Sequence, residues 1–215
     1  MAALRAPSTQ ASPYGRILWR HPHSSLLRMK FIVLIAWCLL ASFMSHASDF
    51  SDKLKTREYV LLMRHTLAPG IGDPPGYSLE DCKTQRNLNE EGQKQALNIG
   101  HWLRKQGVQN AVVRSSTWCR CKDTAALLKF DGYKIEPSLG SFFDQMSNAK
   151  EATHQLQKFI SANLKTKSDK ALILVTHHVN ILDFIGENIA SGDMVLTQVD
   201  TQGKMVSYKL IPRPD

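Results

Sequence analysis

Glu58-Tyr59-Val60-Leu61-Leu62-Met63 is an apolar run of strand length that stops on Arg64-His65, and much later Ala171-Leu172-Ile173-Leu174-Val175-Thr176 stops in the same way on His177-His178. Short apolar runs bounded by loop residues read as strands. Pro69, Gly70, Gly72, Pro74, Pro75 and Gly76 follow the first of them and mark a long loop, so a strand delivers Arg64 and His65 to a loop-lined edge. Between the two runs, strand-like and helix-like stretches alternate. Asn89 is placed to cap a helix running to about Gly107, with Ala96, Ile99, Trp102 and Leu103 as its apolar stripe. Ala111–Val113 reads as a strand, and Ser115-Ser116 leads into a helix through Leu128 whose apolar face is Cys121, Ala125 and Leu128, with Arg120 pointing off that face.

A third strand is expected over Lys134–Glu136, a helix over about Glu151–Leu164, and a closing hairpin from Val195–Val199 and Lys204–Ile211 around Thr201-Gln202-Gly203. Alternation of this kind predicts an α/β fold, a three-layer α/β/α sandwich with a mostly parallel central sheet. Ligands in such sheets gather at the carboxyl ends of the strands. His65 and His177 sit at two such ends, and Arg120 lies one turn into a helix that follows another.

The motifs along this edge resemble those of the histidine phosphatase superfamily, in the branch that includes phosphoglycerate mutases and phosphohistidine phosphatases. Arg64-His65-Thr66 is similar to the family's Arg-His-Gly, with threonine for glycine. Leu88-Asn89-Glu90-Glu91-Gly92-Gln93-Lys94-Gln95-Ala96 follows its Leu-Ser/Thr-x-x-Gly-x-x-Gln-Ala helix start. Ser115-Ser116-Thr117-Trp118-Cys119-Arg120-Cys121-Lys122-Asp123-Thr124-Ala125 resembles its Ser-Ser-x-x-x-Arg-Ala-x-x-Thr-Ala segment, so Arg120 rather than Arg114 takes the functional position. Val175-Thr176-His177 resembles its Gly-His strand end. The likeness spans about Glu58 to Ile185.

That resemblance implies a phosphatase in which His65 takes the phosphoryl group from a phosphomonoester while Arg64, Arg120 and His177 clamp it, with Thr66 beside them as a substrate-binding residue. The residue types suit the chemistry. Neutral imidazole is a nucleophile, and adjacent arginines discourage its protonation. Planar guanidinium forks match phosphoryl oxygens. No cofactor or metal is implied, since the sequence has no acid-rich magnesium cluster and no zinc-knuckle spacing. The general acid is the open role. Ser141 stands where the family's glutamate is expected, Asp144 is the nearest carboxylate in that segment, and Asp73, Glu80 and Asp81 are further candidates. Two other functions carry the same motifs: a module that only binds a phosphorylated ligand, and a phosphoglycerate-type mutase, for which this chain lacks the long insertions and the glutamate.

Residues 1–47 differ from the remainder. They hold no acidic residue, and Met29-Lys30 precedes an apolar run from Phe31 to Met44 followed by Ser45-His46-Ala47. Basic start, short apolar core and small-residue exit outline a signal peptide that starts at Met29, with residues 1–28 an over-extended reading frame and cleavage after Ala47. A spanning anchor needs about 20 apolar residues, and this run is shorter. The expectation is an exported protein, periplasmic or secreted, that touches membrane only through this segment, with the phosphatase domain over residues 48–215. Five of the 27 basic residues fall in the removed part, leaving 22 against 19 acidic ones, a balance of +3 in place of +8. Nucleic acid is therefore not an expected partner; a small phosphorylated substrate is. Of the three remaining cysteines, Cys121 is expected to be buried on the apolar helical face, and Cys119 to face Cys82 and pair with it, as an oxidising compartment allows.

Overall fold

The computed structural model describes residues 49–215. The expected signal segment, its start at Met29 and the cleavage after Ala47 lie outside the described residues. Residues 49–55 are helical (α1). In chain order there follow β1 (Tyr59–Arg64), α2 (Glu90–Lys105), β2 (Ala111–Ser115), α3 (Cys119–Leu127), β3 (Lys134–Ile135), α4 (Ala149–Thr166), β4 (Ala171–Thr176), α5 (His178–Ile185), β5 (Met194–Val199) and β6 (Met205–Ile211). Short 3-10 turns occupy the long connections.

The six strands form one sheet in the order β3-β2-β4-β1-β5-β6. β3, β2, β4 and β1 run parallel, and β5 and β6 add an antiparallel edge through the hairpin at Gly203. Parallel neighbours need a crossover helix, and α2, α3 and α4 supply it. Both faces of the central strands are consequently covered. Leu61, Met63, Ile173 and Val175 pack with Ile99, Leu103 and Ala125 on one side. Val60, Leu62, Leu172 and Leu174 pack with Leu156, Ile160 and Ile181 on the other. The three-layer α/β/α arrangement and mostly parallel sheet expected from the alternation are thus present.

Local chemistry accounts for the helix positions. Asn89 caps α2 by accepting from the Gly92 N–H at 2.9 Å, with Glu90 and Glu91 in its first turn and Arg104 and Lys105 in its last, all signs that suit the helix dipole. Ala96, Ile99 and Leu103 of the expected stripe are fully buried, while Trp102 is half-buried and packs against Phe50 of α1. α3 starts at Cys119, three residues beyond the Ser115-Ser116 pair that leads into it. Ser115 still belongs to β2, and the Ser116 N–H donates to Val175 O, so the strand edge holds those residues first.

Candidate active site

β1 and β4 end side by side, with Arg64 opposite Thr176. This register brings the two strand-end histidines together: the His65 N–H donates to Thr176 O at 3.0 Å, and the ring centroids of His65 and His177 stand 5.5 Å apart, edge to face. The chain after His65 is held by α2. Gly92 lies so close to it that a Cβ there would stand 2.0 Å from Leu67 O, and the Gln95 side chain accepts from the Leu67 N–H at 3.1 Å. Glycine and glutamine at these positions are therefore required by the close approach of a helix start to the His65 loop.

At the His65 ring, Nδ1 lies 2.8 Å from the Thr66 carbonyl oxygen. A carbonyl can only accept, so Nδ1 carries the proton and Nε2 keeps its lone pair. Burial drives the His65 pKa down to about 3; the Thr66 hydrogen bond opposes that shift, and Arg120, Arg86 and Arg64 add to it. The ring is neutral throughout the physiological range. His177 is likewise neutral, its pKa far below the usual value, first because it is buried and then because of His65 and the arginines. Its Nε2 is 2.8 Å from Ser116 Oγ, which already accepts from the Trp118 N–H. Cys121 Sγ lies 3.5 Å from the same Nε2, so that nitrogen is held by Ser116 and Cys121 together.

These side chains line a cavity of about 280 Å³ together with Arg64, Arg120, Arg86 and Asp73. Each guanidinium is tethered by only part of its donors. Arg64 Nη1 donates to Ile189 O at 2.6 Å, and Arg120 Nη1 donates to Asp73 at 2.8 and 3.1 Å and to Arg86 O at 3.3 Å. The Nε atoms of Arg64 and Arg120 are buried and have no partner. A buried donor without an acceptor costs free energy. Arg86 donates through Nε to Gly72 O at 2.7 Å and through Nη1 to Ala68 O, and its backbone N–H donates to Asp73 at 2.9 Å. Burial lowers the pKa of Arg64 and of Arg86 below the usual guanidinium value.

Arg64, His65, Arg120 and His177 are thus brought together as expected. Arg86 was not foreseen, because it lies in the irregular loop ahead of α2, where no periodicity marks it. Asp144 lines the cavity at its exposed rim, where it accepts from the Tyr77 hydroxyl at 3.2 Å. Asp73 lies deeper, held by Arg120, the Trp118 indole N–H at 3.1 Å and the Arg86 N–H. Burial alone would raise its pKa, but these hydrogen bonds and the Arg120 charge outweigh it and hold the carboxyl below its ordinary value. Asp73 is therefore an ionised anchor for Arg120, and a poor acid. Glu80 and Asp81 are exposed and do not line the cavity.

Thr66, expected at the substrate, does not line the cavity. Its N–H and hydroxyl are both spent on Thr124 Oγ1 of α3, at 3.2 and 3.1 Å, so it fastens the His65 loop to that helix. A disulfide joins Cys82 to Cys119, as the cysteine positions suggested, and Gln85 Oε1 accepts from the Cys119 N–H at 2.9 Å. The loop carrying Asp73 and Arg86 is in this way stapled beside Arg120. Cys121 is buried, and burial pushes its thiol up to about 12, so it has no thiolate chemistry. His178 lies on the rim against Phe143, and Asn180 donates to Gly140 O at 2.8 Å. Among the described residues no three His, Cys, Asp or Glu side chains converge as a metal site.

The chain matches the histidine phosphatase superfamily (branch 1) over residues 60–140. Three solved structures illustrate the likeness. A mycobacterial glucosyl-3-phosphoglycerate phosphatase in complex with VO3 is 12% identical, with a TM-score of 0.53 over 73% of this chain and 98% of that one. A phosphoserine phosphatase from Entamoeba histolytica with 3-phosphoglyceric acid is 11% identical, with a TM-score of 0.50 over 73% and 96%. The protein histidine phosphatase SixA with tungstate is 17% identical, with a TM-score of 0.45 over 71% and 94%. No curated protein matches the chain by sequence.

Proposed function

We propose that the chain is a member of the histidine phosphatase superfamily, whose branch 1 pattern it matches over residues 60–140, and that it hydrolyses phosphomonoesters through a phosphohistidine on His65. One observation carries the reading: His65 is locked with its proton on Nδ1 and its Nε2 lone pair free, in a cavity lined by the guanidinium groups of Arg64, Arg86 and Arg120. In the first half-reaction, Nε2 attacks phosphorus, the P–O bond to the alcohol breaks, and the leaving oxygen takes a proton from Asp144 at the rim. Arg64, Arg120 and Arg86 neutralise the phosphoryl oxygens, and His177 donates to one of them. In the second, water attacks phosphorus, the P–N bond breaks, Asp144 takes the water proton, and inorganic phosphate leaves.

Three fixed guanidinium groups supply the positive charge that phosphoryl transfer needs, which supports a metal-independent reaction. Asp73 supports the same reading by holding Nη1 of Arg120 and so fixing that guanidinium at the cavity. Export to the periplasm or beyond is part of the proposal; residues 29–47 are its basis, and the Cys82–Cys119 bridge, which an oxidising compartment preserves, supports it.

The test is hydrolysis of p-nitrophenyl phosphate by purified Ser48–Asp215. Activity should persist in EDTA, be inhibited by vanadate and vanish in His65→Ala. If His65→Ala kept most of the activity, or EDTA abolished it, the assignment would be wrong. A protein that bound phosphate tightly and turned nothing over would instead be the binding module.

A further inference from the structure

The cavity at His65 does not end at its rim. Past Trp118, Ser141 and Asp144, which border both spaces, a second cavity of about 440 Å³ opens along Gly140 and Asn148. Gly140 borders it, and the backbone there is held from behind by buried side chains. Thr176 Oγ1 donates to Leu139 O at 2.7 Å and Asn180 Nδ2 to Gly140 O at 2.8 Å, and both of these side chains are buried. Gly140 leaves room for the indole, since a Cβ there would stand 3.1 Å from Trp118 Cζ3. Trp118 in turn is fixed by Asp73 and tilted toward Tyr77, with ring centroids 6.4 Å apart.

Its lining differs in character from that of the first cavity. All three site guanidinium groups face the first, whereas no lysine or arginine lines the second among the described residues. Aromatic surface from Trp118 and Tyr77 is combined there with Thr117, Gln145, Asn148 and one carboxylate, Asp144. Aromatic faces and neutral donors and acceptors suit a hydroxyl-bearing carbon skeleton. An anionic group in the same place would find no cation among the lining residues to pair it.

We infer that this second cavity is the leaving-group subsite, and that it selects phosphomonoesters of uncharged, hydroxyl-rich alcohols, polyols or sugars, over esters whose alcohol carries a carboxylate. The inference rests on the phosphatase reading above and adds the substrate class to it. Since the phosphoryl group occupies the arginine cavity in either case, the discrimination appears only in the alcohol.

Matched pairs test it: glycerol 3-phosphate against 3-phosphoglycerate, and glucose 6-phosphate against 6-phosphogluconate, with p-nitrophenyl phosphate as reference. The neutral member of each pair should have the higher kcat/KM by about tenfold or more. Asn148→Lys and, independently, Ala152→Lys place a cation on this cavity from outside the phosphoryl machinery. Each should raise kcat/KM for the carboxylate esters relative to the neutral ones and so narrow the ratio. Equal or reversed preference in the wild type, or a preference that neither lysine moves while p-nitrophenyl phosphate is still hydrolysed, would overturn the subsite alone. Hydrolysis of none of these esters would overturn the phosphatase reading and the subsite with it.

Discussion

Asp73→Asn separates the charge of the Asp73 anchor from its shape. In the wild type, Arg120 Nη1 reaches both carboxylate oxygens at 2.8 and 3.1 Å, and each side chain is only 4% exposed. Asparagine keeps an acceptor in the same place but removes the counter-charge, leaving Arg120 in a cavity shared with Arg64 and Arg86. Breaking one member of a buried ion pair costs about 3–5 kcal/mol. At roughly 2–4 °C per kcal/mol for a domain of this size, Tm should fall by about 6–20 °C. The sign with pH follows from the depressed Asp73 pKa. Its stabilisation is complete above the ordinary carboxylate value of about 3.9 and is lost as pH falls below that value through the native one. The Asn variant should therefore lack that acid-side loss. An anion in the cavity restores the missing counter-charge, so vanadate should raise Tm more in the variant than in the wild type. Thermal melts followed by circular dichroism at neutral and acidic pH, with and without vanadate, read all three effects. A neutral-pH Tm within about 2 °C of the wild type, with equal vanadate shifts, would refute the claim that Asp73 balances the arginines.

Three further outcomes are expected. Removing the disulfide by Cys82→Ser should cost about 4 kcal/mol in urea unfolding, as the entropy of a loop spanning 37 residues implies, and a loss under about 1 kcal/mol would mean that the bridge does not constrain the unfolded chain. Arg86→Lys keeps the charge but not the fork, and should lower kcat/KM for p-nitrophenyl phosphate by about 10²–10³-fold; an unchanged value would remove Arg86 from the phosphoryl site. Asp144→Asn should slow alkyl phosphates by roughly 10²–10⁴-fold and aryl phosphates far less, because a nitrophenolate departs unprotonated. A uniform loss across both substrate classes would give Asp144 a structural role.

What the sequence made legible is what periodicity and strand ends encode. β4 occupies Ala171–Thr176 as read, since a six-residue apolar run with β-branched Ile173, Val175 and Thr176 is too short for a helix and suits a buried strand. Asn89, Gly92 and Gln95 were readable as a helix start, and their physical purpose appears only in three dimensions, where Gly92 and Gln95 grip Leu67. Sheet order was not readable, because parallel strands of similar composition carry no label for their neighbours. Arg86 was missed for a related reason: its place in the cavity is set by loop carbonyls at Ala68 and Gly72 and by the bridge at Cys82, and no local pattern announces such contacts. Thr66 entered through its motif position alone. Its place in the Arg-His-Gly-like motif suggested substrate contact, whereas its N–H and hydroxyl both engage Thr124.

The central claim is the chemistry of His65, and a rapid-quench single turnover with labelled phosphomonoester addresses it most directly. Alkaline quenching followed by peptide mapping should find an acid-labile, alkali-stable label on the peptide that contains His65, and none in His65→Asn. Because the folded His65 is already neutral above its pKa of about 3, the rate of labelling should show no dependence on His65 protonation between pH 5 and pH 8. Label on another residue, or full turnover in His65→Asn, would contradict the account.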